Sequence, residues 1–330
     1  MSAATKIATT AGAFVAAGVA AKILNNRQTE RRRLRRGEDV EFGSVHSATR
    51  KVVSVDGIRI NVEVDEPELE APHLPTIVFV HGVLCTLDSW HYQRLALRGQ
   101  ARMVFMDHRS HGGSDVADRA SSTIENLAAD LHAVIEACTT GPVVLVGHSM
   151  GGMTIMQLAA DHPELFGNRD RVVGVMLLST SSRLPLVSSP AARRIVPFAR
   201  RAAPLVDWGK GFNSFSVVRR FGLGPNAQER HVDMTNEMIL HAPTRVLTDF
   251  HPMFAELDVR HALETLSEIP TIVVAGTHDF VTPLSHSRRI ADGIAGSSLV
   301  ILEDTGHMAM FEQHVRITEL ISELAEKTAT

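Results

Sequence analysis

Short apolar runs recur along the chain, most of them closed by glycine, histidine or an acidic residue. They lie at Thr76–Val80, Arg102–Met106, Val143–Val146, Val172–Leu178, Thr271–Ala275 and Ser298–Leu302. Runs this short, with little polar alternation, predict strands buried on both faces of a parallel sheet. Between them the period changes. Ile124, Leu127, Leu131, Val134 and Ile135 fall at helical spacing within Thr123–Ala137, which predicts a helix crossing back over the sheet. Ahead of these runs, Val52–Val55 and Ile58–Val64 flank Asp56-Gly57 and predict an opening β-hairpin, because Asp-Gly supplies the positive φ of a tight turn. A last helical pattern runs from about Met308 towards the C-terminus. The alternation implies an α/β fold, with a mostly parallel sheet covered by helices on both faces.

The ends of the strands carry the chemistry. Val143–Val146 passes straight into Gly147-His148-Ser149-Met150-Gly151, and a helix-compatible stretch follows from Met153 to Ala160. A strand must stop and a helix must start within a residue or two, which forces the serine backbone into a strained turn and exposes its hydroxyl above the sheet. Gly147 and Gly151 leave room for the neighbouring strand and helix. Ser149 is therefore the candidate nucleophile. A nucleophilic serine needs a base, and the base needs an orienting acid. The loop Gly276–Asp279 follows one predicted strand and Glu303–His307 follows the next, so Asp279 and His307 reach the sheet edge from which Ser149 emerges. His278 and Asp304 are the nearest alternatives. His278 sits on the acid's own loop, and Asp304 is too close in sequence to His307 to orient it. The oxyanion donors are expected to be the N–H of Val83, after the His81-Gly82 step, and the N–H of Met150, after the nucleophile. His81 is expected to hold its loop by hydrogen bonds.

Taken with Asp107–Ser114 after the fourth strand, these motifs stand in the order and spacing of the α/β-hydrolase superfamily, which the chain resembles from about Val52 to Lys327. It is similar in particular to actinobacterial α/β-fold hydrolases with an N-terminal Ala/Gly-rich segment, at Val62–Pro67, Trp90–Arg94 and Gly141–Gly152. The resemblance implies an eight-stranded, mostly parallel sheet with a helical cap insertion. It also implies the serine branch of the superfamily, since epoxide hydrolases and haloalkane dehalogenases of this fold place an aspartate at the elbow. A serine there forms an acyl-enzyme from an ester, thioester or activated amide. A carboxylic-ester hydrolase (esterase or lipase-like) is the expected activity. A cofactor-free perhydrolase or C–C bond hydrolase would use the same three residues, and a slow-turnover ligand-binding protein is the alternative of another class.

Three segments are expected: an apolar helix and basic linker at 1–45, a core at 46–180 and 270–330, and the cap at 181–269. The cap's first half, 181–230, holds nine Lys/Arg against Asp207 and Glu229, with Trp208, Phe212, Phe215 and Phe221 interleaved. It reads as a solvated face over packed aromatics, or as a surface for anionic lipid headgroups. Met234, Met238 and Met253 read as core filling, with an adaptable acyl pocket as the alternative.

Composition adds limits. With 44% apolar and 21% charged residues the chain is globular. Residues 1–36 carry eight Lys/Arg and one Glu, a net +7 in a chain of net charge −4, so the remainder carries −11. Ile7–Leu24 is apolar and precedes Arg31–Arg36, the order that favours a single anchor with the core on the cytoplasmic side. A cytoplasmic protein, or export with 1–24 as a signal, is the alternative. Nucleic-acid binding is not expected from one short basic run. Cys85 and Cys138 suggest no disulfide framework. The 17 histidines are scattered without a ligand pattern, so neither metal nor cofactor is expected. The expected partner is a small-molecule ester substrate, with a lipid ester as the alternative.

Overall fold

The computed structural model describes residues 40–68, 74–167, 171–184, 201, 203, 207 and 214–329. The predicted N-terminal helix and basic linker lie outside these residues, as do Arg193, Arg194, Arg200, Trp208, Lys210 and Phe212 of the insertion. An eight-stranded sheet has the order β1-β2-β4-β3-β5-β6-β7-β8. The strands are β1 Thr49–Val53, β2 Arg59–Asp65, β3 Thr76–Val80, β4 Met103–Met106, β5 Val143–His148, β6 Val172–Leu178, β7 Thr271–Gly276 and β8 Ser298–Leu302. β2 is antiparallel to β1 and to β4, and all other pairs are parallel. The opening hairpin forms as expected, with Gly57 at φ +87° in its turn.

Side-chain alternation divides the core into two layers. Val78 and Val80 of β3, with Val104 and Met106 of β4, face the helices α2 (Ile124–Cys138) and α3 (Met150–Asp161). Ile77, Phe79, Met103 and Phe105 face the other side, with α1 (His91–Leu97) and the C-terminal helix. Both faces of these strands are buried, which is why their sequence shows no polar alternation. α2 begins where Thr123 accepts the Asn126 N–H at 3.2 Å as an N-cap.

Between β6 and β7 the described insertion is helical: a turn at Val218–Gly222, α4 (Glu229–His241), α5 (Arg245–Glu256) and the short α6 (Leu263–Leu266). Met234, Met238 and Met253 are buried in the two core layers. α7 (Leu284–Gly293) links β7 to β8. The helix expected from Met308 is two pieces, α8 (Ala309–Glu312) and α9 (His314–Lys327), because Gln313 takes non-helical angles between them. Among the described residues no helix is long and apolar enough to cross a membrane.

Candidate active site

Ser149 sits between β5 and α3 with φ +52° and ψ −115°, a conformation that L-residues rarely adopt. Hydrogen bonds on both sides hold it there. Its N–H donates to the Leu178 carbonyl at 2.9 Å, and its carbonyl accepts the Thr180 hydroxyl at 2.6 Å. Gly152 N–H also donates to that carbonyl, at 3.0 Å, as α3 begins. Met150 is buried and is the first residue of α3, and that position puts its N–H at the positive end of the helix.

Asp279 and His307 meet beside this turn. His307 Nδ1 lies 2.9 Å from Asp279 Oδ2. The other carboxylate oxygen accepts the N–H groups of Val281 and Thr282, each at 2.8 Å, and the Thr282 hydroxyl donates to Oδ2 at 2.8 Å. Burial raises the Asp279 pKa, but the His307 charge and these hydrogen bonds outweigh it and hold the carboxyl below its ordinary value. An ionised Asp279 fixes the His307 tautomer with the proton on Nδ1, leaving Nε2 as the acceptor. Asp304 does not share this site. Its side chain is 56% exposed, lies 3.7 Å from His278 Nδ1 and accepts Asn226 Nδ2 at 3.1 Å.

His148 joins the two halves. Its Nε2 donates to the His307 carbonyl at 3.0 Å, and its ring lies 4.8 Å from the His307 ring. Burial, reinforced by the His307 charge, holds His148 well below the usual histidine pKa, so it stays a neutral donor. On the opposite side the Gly82 backbone closes in. A Cβ on Gly82 would stand 2.8 Å from His148 Nδ1 and 3.0 Å from Ser149 Cβ. The Gly82 backbone is thus pressed against the serine. His81 anchors it: Nδ1 donates to Gly82 O at 2.7 Å, and Nε2 accepts the His108 N–H at 3.0 Å. Burial pushes His81 down to about 4, as a loop-holding neutral imidazole requires. Cys85, further along this loop, has its thiol pushed up to about 12 by burial, which excludes it as a thiolate nucleophile near neutral pH.

A family model described as "Alpha/beta hydrolase family" matches residues 77–320. The chain belongs to the α/β hydrolase family. This hydrolase is similar to 3-oxoadipate enol-lactonase 1 of Acinetobacter baylyi, 25% identical over 281 residues that cover 85% of this chain and 97% of that one. It is similar in structure to an esterase of Thermogutta terrifontis, with TM-score 0.70, 26% identity and coverage of 86% and 100% of the two chains. The enol-lactonase of Burkholderia xenovorans LB400 shares the fold, at TM-score 0.69 and 24% identity over 83% and 99%. Among the described residues no group of three or more His, Cys, Asp or Glu could hold a metal ion in this hydrolase.

Sequence reasoning passed over His148, Thr282 and Thr180. His148 lay within the elbow pentapeptide, and Thr282 three residues after the acid, where a hydroxyl and an N–H reach back to an Asp side chain. Thr180 gave no local signal, since its contact with Ser149 exists only once β6 lies beside β5.

Proposed function

We propose that the hydrolase cleaves carboxylic esters through an acyl-enzyme on Ser149. The observation that carries this reading is a serine held at positive φ on a strand-to-helix turn, bridged by His148 to a His307–Asp279 pair. His307 Nε2 takes the Ser149 proton as Oγ attacks the acyl carbon. The tetrahedral oxyanion is held by the N–H groups of Val83 and Met150. His307 then gives its proton to the departing alcohol, and water deacylates the enzyme by the same steps reversed. Asp279 stays ionised throughout and keeps the proton of neutral His307 on Nδ1. The names of the relatives, esterase and enol-lactonase, support an ester bond, open or cyclic. The helical insertion within 181–269 roofs the cleft in this reading, over a core of 46–180 and 270–330. Residues 7–36 hold the enzyme against the cytoplasmic face of a membrane, and a lipid-like ester is then within reach.

Hydrolysis of p-nitrophenyl esters from C2 to C16, wild type beside Ser149→Ala, tests the chemistry. Turnover that falls about 10³–10⁶-fold in the variant is expected, with a Ser149→Ala/His307→Ala double variant little worse than either single one. A folded wild type inactive on every ester, or a Ser149→Ala variant as active as wild type, overturns the reading.

A further inference from the structure

The loop that carries His307 is fastened to the insertion, and one carboxylate makes the fastening. Glu312, at the end of α8, accepts the Gly306 N–H on Oε1 at 3.0 Å and the Gly224 N–H on Oε2 at 2.7 Å. Gly306 immediately precedes His307, and Gly224 follows the Val218–Gly222 turn of the insertion. The His307 N–H donates to the Gly222 carbonyl at 3.0 Å, across the same seam. Packing leaves no slack: a Cβ on Gly306 would strike the Leu223 backbone, and one on Gly224 would strike the Asp304 carbonyl. Leu223 is buried in the same core layer as Met308 and Phe311.

We infer that Glu312 is a positioning residue, which ties the insertion to the His307 loop and thereby sets both the aim of the imidazole and the seating of substrate. The inference rests on the reading of His307 as the base. Each N–H is taken by a different oxygen of the carboxylate, and ionisation of that carboxylate makes each bond charge-assisted. Losing it frees two buried donors on the segments that define the cleft, so aim and seating degrade together.

Burial pushes the Glu312 pKa up to about 7, against the lowering effect of the Gly224 and Gly306 N–H groups. Asp279 (raising) and His307 (lowering) are the charged groups acting on this carboxyl. Arg219 bonds the Gly224 and Pro225 carbonyls at 3.1 and 2.9 Å, and Asp304 is taken by Asn226. Protonation turns one acceptor oxygen into a hydroxyl facing an N–H and breaks one arm of the clasp. Two groups, His307 and Glu312, must then be deprotonated for full activity.

The test compares wild type, Glu312→Gln and Glu312→Ala on p-nitrophenyl butyrate from pH 5.5 to 9, with rates divided by Ser149 sites titrated with a fluorophosphonate. Glu312→Gln keeps one acceptor and is expected to lose about 10-fold in kcat, with a raised KM, and Glu312→Ala about 100-fold. The acid limb of kcat should be steeper in wild type than in Glu312→Gln. Unchanged kcat, KM and acid limb per titrated site, beside a lowered Tm, would overturn the inference and leave Glu312 a stabiliser of the fold. If Glu312→Ala does not fold, Glu312→Gln alone decides. Should wild type hydrolyse no ester, it is the ester reading that fails. The inference is then read from the NMR resonance of the His307 Nδ1 proton: a shift or broadening in Glu312→Gln supports it, and an unaltered resonance overturns it.

Discussion

Replacing Ser149 by glycine should make the protein more stable than replacing it by alanine, although both variants lose the hydroxyl. The serine backbone stands at φ +52°, ψ −115°. An L-residue there costs on the order of 1–3 kcal/mol, and Ser149→Ala keeps that cost because it keeps the Cβ. Glycine relieves it but loses about 0.5–1 kcal/mol through the greater freedom of the unfolded chain. The difference between Ser149→Gly and Ser149→Ala is therefore about 0.5–2 kcal/mol in favour of glycine. With an unfolding entropy of about 2.1 cal/mol/K per residue over 330 residues, that corresponds to a rise in Tm of about 1–3 °C. Calorimetry and urea unfolding of the two variants provide the comparison. A glycine variant no more stable than the alanine variant would refute the strain argument and imply that the Leu178 and Thr180 contacts hold a relaxed turn.

Other perturbations bear on the same site. Gly82→Ala puts a methyl against Ser149 Cβ and His148 Nδ1, displaces the Val83 N–H, and should lower kcat about 10²–10³-fold with the protein still folded; steady-state kinetics on a soluble ester checks it. Asp279→Asn should cost about 10⁴ in kcat, while Asp304→Ala should change it less than two-fold, given the outward placement of Asp304. Because the folded-state Asp279 pKa is depressed, its stability contribution is present above the ordinary aspartate value, about 3.9, and is lost as pH falls through the lower native value. The stability gap between wild type and Asp279→Asn should accordingly shrink in acid, which urea titrations from pH 3 to 7 would reveal. Cys85 should resist iodoacetamide at pH 8 in the native protein and react once urea unfolds it; mass spectrometry reads the label. Removing residues 1–36 should leave kcat on a soluble ester within about two-fold and move the protein from the membrane to the soluble fraction; unchanged fractionation would remove the anchor proposal.

Local physics made much of the fold legible. Strands such as Thr76–Val80 and Val172–Leu178 are buried on both faces, so their apolar runs had one sensible reading, and Asp56-Gly57 announced its turn. The elbow was visible because a strand, a glycine-flanked serine and a helix had to share so few residues. The seam between Gly222–Gly224 and Gly306-His307 was not visible. It joins segments far apart in sequence through backbone N–H groups, and a bridging glutamate looks like any helical glutamate until the fold delivers its partners. The break at Gln313 was also hidden, since the apolar spacing continues across it.

The strand order has a consequence for synthesis. Strands β1 to β6 form a contiguous block of the sheet, so they can pair before β7 and β8 are made. Ser149 belongs to that early block, whereas Asp279 follows β7 and His307 follows β8. A nascent or truncated chain that stops within the insertion would present the Ser149 turn without Asp279 and His307, the acid and base proposed for it. Under the proposed mechanism such a chain is silent until its later segments arrive.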